Sequence, residues 1–597
     1  MAYRSIPEMF LAACKRGGDK PALRHKVHGR WQALSWRQWE DAARNVGRGL
    51  IALGVARGER VAILSQTRLE WVLADLGIIC AGAATVPIYQ SNLPKECEHV
   101  LVDSEAAVVF VEDERQLEKV LAVREALPAL KKIVLIAGHK PADPMVMRFD
   151  DLVALGKQAD PAELQRRIEA AGPADLASLV YTSGTTGKPK GAMLSHAGFV
   201  FVAGSVSGIL KRSSADETLL FLPLAHIFAR IVEFVCIHDG VSIAFAESIE
   251  RLLDNLAEVR PTFMASVPRI YEKIYAKAVG DVQEAGGLKK AVFDFSLAAG
   301  RELSRSDRKK EDMGALAKLK YRVADRLVFS KLKQQFGGRL EFFVSGGAPL
   351  SKEIAEFFHA AGILILEGYG LTETTAVTNV NRPGSFKFGT VGQPVPGVEQ
   401  KIAPDGEVLS RSPGTMQGYF RRDDETREVL DADGWFHTGD IGEFDDDGFL
   451  RITDRKKDII ITAGGKNIAP QAVESHLKNN PLISQVMVYG DKRKYLTALI
   501  TLNYDEAAKI ARVQGISFRD PRELAAHPAL RERVAAVVEE KNRELASYES
   551  IKRFAIVADD FTQESGELTP TLKIKRKVVT QKYKQLLDGF YEEKLYE

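Results

Sequence analysis

Cysteine is scarce here, and its few positions exclude a good deal. Cys14, Cys80, Cys97 and Cys236 stand far apart, with no Cys-x-x-Cys pair and no Cys/His ligand spacing. Neither a disulfide framework nor a zinc site is expected, and a reducing compartment fits best. A long apolar run is also missing: the longest nearly uncharged stretch, 76–89, falls short of the roughly 20 residues a membrane-spanning helix needs and contains Pro87. The start, MAYRSIPEMF, lacks the charged-then-apolar build of a secretory signal, so cytoplasmic residence is the expectation. Nor does one charge dominate: 82 Lys and Arg against 80 Asp and Glu leave +2 over 597 residues. No attraction of the whole molecule to nucleic acid is expected, and contact with an anionic surface must use a local patch.

What is present is ordinary globular composition, 45% hydrophobic and 27% charged, in a chain long enough for three or four modules at roughly 150 residues each. Helical apolar spacing over 36–53, followed by short apolar runs at 61–64 and 85–89, predicts α/β layers. Three further runs, 177–181, 340–344 and 363–366, lead straight into the polar loops TSGTTGKPKG, SGGAPL and EGYGLTET. Ligands of open α/β sheets bind beyond the carboxyl ends of strands, so these three exits are expected to wall one crevice. Ser351 is a candidate N-cap for a helix carrying Ile354, Phe357, Phe358 and Ala361 and stopped by Gly362. Turn signals at Pro404, Asp431 and Asp445 predict a small antiparallel subdomain, and a boundary at Thr453 divides the chain into 1–453 and 454–597. The acidic string Glu443, Asp445, Asp447, Gly448 and Asp454 imitates a calcium loop, but its first and last ligands are exchanged, and a hairpin turn is the better reading.

The segment YTSGTTGKPKGAML, 181–194, carries the strongest signal. Small residues let backbone N–H groups approach phosphate oxygens, hydroxyls of Thr182, Ser183, Thr185 and Thr186 can donate to them, and Lys188 and Lys190 add positive charge. It is not a Walker A loop, because Pro189 stands where that loop needs Ser or Thr. The segment resembles the phosphate-binding loop of the adenylate-forming, AMP-binding superfamily, which includes acyl-CoA synthetases, luciferases and amino-acid adenylation domains. EGYGLTET, WFHTGD, DRKKDIIITAGGKNIAP and ELTPTLKIKRK resemble further motifs of that family, and the match runs from roughly residue 20 to the end of the chain.

The resemblance implies a large adenylation domain, two doubly wound α/β subdomains plus a small β subdomain, followed by a smaller mobile α+β domain hinged near Lys457. Thr182, Ser183, Gly184, Thr185, Thr186, Gly187, Lys188 and Lys190 would hold the ATP phosphates, and Gly346, Gly347 and Ala348 the adenine. Glu367, Gly368, Tyr369 and Gly370 would line the adenylate, Thr372 would contact its α-phosphate, and Glu373 with Thr185 would ligate Mg²⁺. Asp440 and Arg455 would meet the ribose, while Gly464, Gly465 and Lys466 would face the path of the CoA thiol. The catalytic lysine falls at Lys573, although Leu572 replaces the glycine that commonly precedes it, which leaves Lys575 as an alternative. In LPLAHIFAR, His226 would face the substrate carboxylate or gate its tunnel, or serve as a satisfied core histidine. That region has no aspartate to pair with an amino-acid amine.

SVPRIYEKIY and ELTPTLKIKRK are similar to segments of long-chain acyl-CoA synthetases, which implies ATP-dependent activation of a fatty acid to its CoA thioester. A ligase loading a carrier protein, a medium-chain or aryl acid CoA ligase, and a non-catalytic nucleotide-binding scaffold are the alternatives. Finally, Leu316, Leu319, Val323 and Leu327 recur at helical spacing among Lys318, Lys320, Arg322, Arg326 and Lys331. The simpler expectation is a core helix with a solvated basic face; the other is peripheral contact with an anionic membrane.

Overall fold

Strands of a parallel sheet covered on both faces are buried throughout, which is why they read as continuous apolar runs. Arg60–Leu64 shows this alternation: Val61 and Ile63 join one apolar core while Ala62 and Leu64 join another. Phe342 and Phe343 divide between cores in the same way on Phe342–Ser345.

The computed structural model describes residues 3–182, 188–463, 466–569 and 573–592. A seven-stranded sheet runs Val146–Arg148, Lys132–Leu135, Val108–Val111, Arg60–Leu64, Ala84–Ile88, Leu176–Thr182, Lys190–Ser195, parallel except for the last pair. In a nine-stranded sheet, Leu364–Tyr369, Phe342–Ser345, Phe263–Ser266, Glu217–Leu220, Ser242–Phe245 and Pro21–Val27 form the parallel centre. The largest apolar core draws on both sheets, with Val61 and Phe110 from one and Phe263, Phe342 and Leu366 from the other. Separate cores cover their remaining faces.

The three strand exits thus come from two sheets, Leu176–Thr182 from the first and the adjacent pair from the second. Loop backbone joins them: Gln417 N–H donates to Met193 O (2.9 Å) and Met416 N–H to Glu373 O (2.7 Å). Behind them sits a buried ion pair. Arg230, on the helix Ile227–Asp239, donates twice to Asp75 (2.8 and 2.8 Å) and once to Ser178 Oγ (2.6 Å), tying the phosphate-loop strand to two helices.

The helix Lys352–Ala360 follows Ser351, whose backbone is extended as an N-cap requires but whose side chain makes no capping bond. Beyond it, Glu399–Ile402, Glu407–Arg411, Phe436–Phe444 and Leu450–Arg455 form a four-stranded antiparallel sheet. The acidic string is its last hairpin, where Lys387 pairs with both Asp445 and Asp447 in place of a metal ion.

The chain then turns at Lys456–Asp458 into the hairpin Ile460–Ile461 and Asn467–Ile468 and the sheet Ile483–Tyr489, Leu496–Leu502, Ile551–Val557. The two cores around that sheet contain only residues from 460 onward. Arg269 bridges to this unit from the body, donating to Ser484 O (3.0 Å) and Oγ (2.9 Å).

One expectation is overturned. The segment Ala315–Ala324, Asp325–Phe329, Ser330–Gln335 packs against the long helix Gly287–Lys309 through Ala317, Ala324, Phe329 and Tyr321. Small residues permit that close approach, and the opposite side carries Leu316, Leu319, Val323 and Leu327 into solvent. The leucine stripe is therefore not a core face. Among the described residues, no helix is long and apolar enough to cross a membrane.

Candidate active site

Antiparallel pairing places Asp440 directly opposite Arg455. Asp440 is buried, and its carboxylate is held by Arg455 Nε at 3.1 Å and by the Tyr369 hydroxyl, which donates to it at 2.7 Å. Burial and the adjacent carboxylate push the Tyr369 phenol up, so it stays protonated as a donor. Tyr369 comes from the EGYG exit of the nine-stranded sheet, so this bond ties the strand Leu364–Tyr369 to the hairpin that leads into the C-terminal unit. A pocket of about 240 Å³ opens beside it, lined by Thr438, Gly439, Arg455, Lys456 and Lys457. A larger hollow of about 590 Å³, lined by Arg44, Arg48 and Lys157 among others, holds none of the motif residues.

Thr372 and Glu373 open a short 3₁₀ turn whose next two residues, Thr375 and Ala376, hold left-handed backbone at φ 53° and 78°. Such conformations are costly for side-chain-bearing residues and persist where surrounding contacts enforce them. Gly370 is one of those contacts: a Cβ there would lie 1.7 Å from Ala376 O. Glu373 is buried, with one oxygen accepting from the Tyr419 hydroxyl at 2.8 Å. Among the described residues the other oxygen has no hydrogen-bond partner, which fits a carboxylate available to a hard cation. Among the described residues, no three acidic, His or Cys groups converge on a metal position. A cation at Glu373 would therefore draw most of its ligands from phosphate and water, as Mg²⁺ does.

Tyr419 has a second task, since the Lys190 ammonium lies over its ring at 5.1 Å. Lys190 pairs across the sheet with Thr182, so one tyrosine joins the phosphate-loop strands to Glu373. Lys188 is exposed at the loop's end. Ser183, Gly184, Thr185, Thr186 and Gly187 lie outside the described residues, as do Gly464 and Gly465.

The C-terminal unit contributes Lys573. A bridge between Leu568 and Ile574 and the bonds Thr569 N–H to Lys573 O (2.8 Å) and Lys573 N–H to Thr569 Oγ1 (3.0 Å) fix its backbone. Its ammonium interacts with Arg455, Asp440, Lys457 and Asp458, while its side chain keeps open access to solvent. Burial of the site, then Arg455 and Lys457, bring its pKa down to about 8. Lys457 is also lowered, by burial and by Arg455. The alternative, Lys575, turns its backbone N–H to Glu567 O (2.8 Å).

His226 caps the helix Ile227–Asp239, its Nδ1 accepting from Phe228 N–H at 3.1 Å. Burial and the Lys573 charge lower its pKa to about 4, so the ring is neutral near pH 7 and its proton resides on Nε2. Phe228 approaches Gly346, whose Cβ would stand 3.2 Å from the ring, and Gly347 and Ala348 continue as an exposed loop.

Two residues fall elsewhere. Glu367 turns to the helix-covered side of the sheet, accepting from Leu350 N–H at 3.4 Å, and burial pushes its pKa to about 8; Gly368 beside it pairs with Val380. Lys466 sits over Tyr548 at 5.7 Å and makes no ion pair with the Asp440 group among the described residues. Sequence reasoning missed Tyr419 and Arg269. The first stands alone in a turn-rich stretch, and the second lay in a segment quoted only for its resemblance.

Comparison with known proteins follows the same outline. Residues 10–420 match the AMP-binding enzyme family, and residues 457–595 match the AMP-binding enzyme C-terminal domain. The chain is 40% identical over 573 residues to the long-chain-fatty-acid–CoA ligase FadD15 of Mycobacterium tuberculosis, covering 95% of this chain and 93% of that one. It is 33% identical over 621 residues to the long-chain-fatty-acid–CoA ligase ACSBG2 of Homo sapiens, covering 98% and 92%. Its fold matches the adenylation domain of a carboxylate reductase from Mycobacterium chelonae, with a TM-score of 0.77 at 22% identity over 98% of this chain and 91% of that one.

Gly370→Ala forces a methyl group into backbone rather than into a side chain that can move. The expected result is ATP affinity, measured by calorimetry, reduced by about tenfold or more, equivalent to about 1.4 kcal/mol. Gly208→Ala, with nothing within 4 Å of its Cβ position, is expected to leave that affinity unchanged.

Proposed function

The chain belongs to the AMP-binding enzyme family, and we propose that it joins a long-chain fatty acid to CoA in two steps driven by ATP. The observation that carries this reading is the meeting of Arg455, Lys457 and Lys573 with Asp440 and Glu373 at one strand pair. Three cations gathered with the carboxylates of Asp440, Asp458 and Glu373 suit a polyanionic nucleotide and its counter-cation, and a lysine arriving from a separate unit suits a reaction that needs it only part of the time. The long-chain specificity rests on the names of the 40% and 33% identical relatives and on an uncharged pocket segment around Ala225 and Ala229.

In the first step a carboxylate oxygen of the fatty acid attacks the α-phosphorus of ATP, and the bond to pyrophosphate breaks. Negative charge grows on the α-phosphate oxygens, where Lys573 and the hydroxyl of Thr372 would stabilise it. Glu373 would hold Mg²⁺, whose charge counters that of the phosphates. Asp440 would accept from the ribose hydroxyls in place of Tyr369, and the Nε2–H of neutral His226 would orient the fatty carboxylate. In the second step the CoA sulfur attacks the acyl carbonyl carbon and AMP leaves with the bonding electrons. The unit from residue 454 would turn at Lys457 between the steps, withdrawing Lys573 and presenting Gly464, Gly465 and Lys466 to CoA. Four buried cysteines, none in a disulfide, suit a cytoplasmic setting.

An assay of AMP release and CoA thioester formation across fatty acids of graded length tests the reading. The expected result is free-CoA thioester formation that rises with chain length into the long-chain range. AMP release with no CoA thioester would instead indicate delivery to a carrier protein. A second measurement separates the half-reactions. Lys573→Ala is expected to reduce adenylation by at least about 100-fold while thioester formation from supplied acyl-adenylate survives; equal loss of both would sink the assignment of Lys573.

A further inference from the structure

The helical hairpin over residues 287–335 differs in charge from the rest of the chain. It holds thirteen Lys and Arg against six Asp and Glu, a net +7, whereas the whole chain is +2 and the remainder therefore −5. The hairpin's second helix turns Leu316, Leu319, Val323 and Leu327 outward, 67%, 56%, 43% and 47% exposed. Spacings of three and four residues align Leu316, Leu319 and Val323 as one stripe on Ala315–Ala324, and Leu327 follows on the π-helical turn Asp325–Phe329. On the other helix of the hairpin, Leu288 and Phe295 are exposed as well, by 81% and 42%.

Cations border the stripe. On Ala315–Ala324, Lys320 lies to one side of it and Arg322 to the other, by the 100° turn per residue. Lys320, Arg322, Arg326 and Lys331 are all exposed, and none makes an ion pair among the described residues. By contrast, Lys318 and Lys333 are engaged with Asp312 (3.6 Å) and Asp325 (2.7 Å).

A contiguous apolar face rimmed by charge marks an interaction site on a soluble protein. Nucleic acid would use the cations but leave the leucines in water, and an acidic protein groove would need a shape complementary to this stripe. An anionic bilayer takes both parts at once: leucines enter the boundary between headgroups and acyl chains, and the flanking cations meet lipid phosphates. We infer that the 287–335 hairpin docks this protein on an anionic lipid surface, with the Leu316–Leu327 stripe against the bilayer. The inference stands on exposure and charge, and goes beyond the proposed reaction without depending on it.

Flotation of the full-length protein with phosphatidylcholine vesicles, with and without phosphatidylglycerol, tests the surface in the absence of ATP and CoA. The wild type is expected to float only with the anionic vesicles, and less as salt rises. Lys320→Gln/Arg322→Gln/Arg326→Gln/Lys331→Gln is expected to weaken binding at least about tenfold, given the per-residue attraction of such cations to anionic lipid. Leu316→Gln/Leu319→Gln/Leu327→Gln is expected to do the same, with melting temperature and circular dichroism unchanged for both. Should one variant fail to fold, the other decides the matter. A wild type that ignores anionic vesicles would overturn the proposal. So would a leucine variant that binds as the wild type does, or competition by single-stranded DNA that only the charge variant escapes, since the face would then be a polyelectrolyte patch. Failure here leaves the thioester assay, and the reading it tests, untouched.

Discussion

The pairing of Asp440 with Arg455 across two antiparallel strands determines where the two units of this protein meet. The carboxylate is buried and doubly held, so losing either partner would leave a charge in a poor solvent. Because Arg455 ends the last strand of the body, Lys457 emerges two residues later at the site itself, and the C-terminal unit arrives with Lys573 beside the same pair. The result is a close cluster of three cations with the carboxylates of Asp440, Asp458 and Glu373. Burial first, and then the Arg455 charge, lower the pKa values of both Lys457 and Lys573, and an anion beside them would favour their charged forms. In the proposed reaction, nucleotide binding would thereby be coupled to the position of the unit from residue 454.

Much of this was legible in the sequence because doubly buried strands leave an unmistakable trace. Apolar runs ending in Gly-rich loops marked the exits that carry Tyr369 and Glu373, and alternating turn signals marked the small sheet that carries Asp440 and Arg455. The division of those exits between two sheets was not legible, since an apolar run does not say which neighbour it will pair with. Tyr419 was invisible for a similar reason: its bond to Glu373 spans 46 residues of chain, and a single tyrosine has no period. The choice between Lys573 and Lys575 needed the Leu568–Ile574 bridge, which sets the backbone register of the segment.

The misread helix is instructive in the opposite direction. Periodicity reveals that a helix has an apolar stripe, not that the stripe faces the protein. Here alanines and a tyrosine form the packed side, and the larger apolar residues remain outside. Near-neutral net charge concealed the same feature, because a hairpin of +7 is offset by −5 over the rest of the chain. Positive charge in this protein is gathered locally, at the Asp440–Arg455 cluster and on the hairpin face.

The most direct test of the electrostatic account is the reactivity of Lys573 toward an amine-acylating reagent, followed by mass spectrometry as a function of pH. Burial and, after it, neighbouring cations lower its pKa, so the expected midpoint is about 8 rather than the ordinary 10.5. Bound ATP favours the ammonium form and is expected to move that midpoint upward. A midpoint near 10.5 that ATP leaves unmoved would contradict the placement of Lys573 at the Asp440–Arg455 pair.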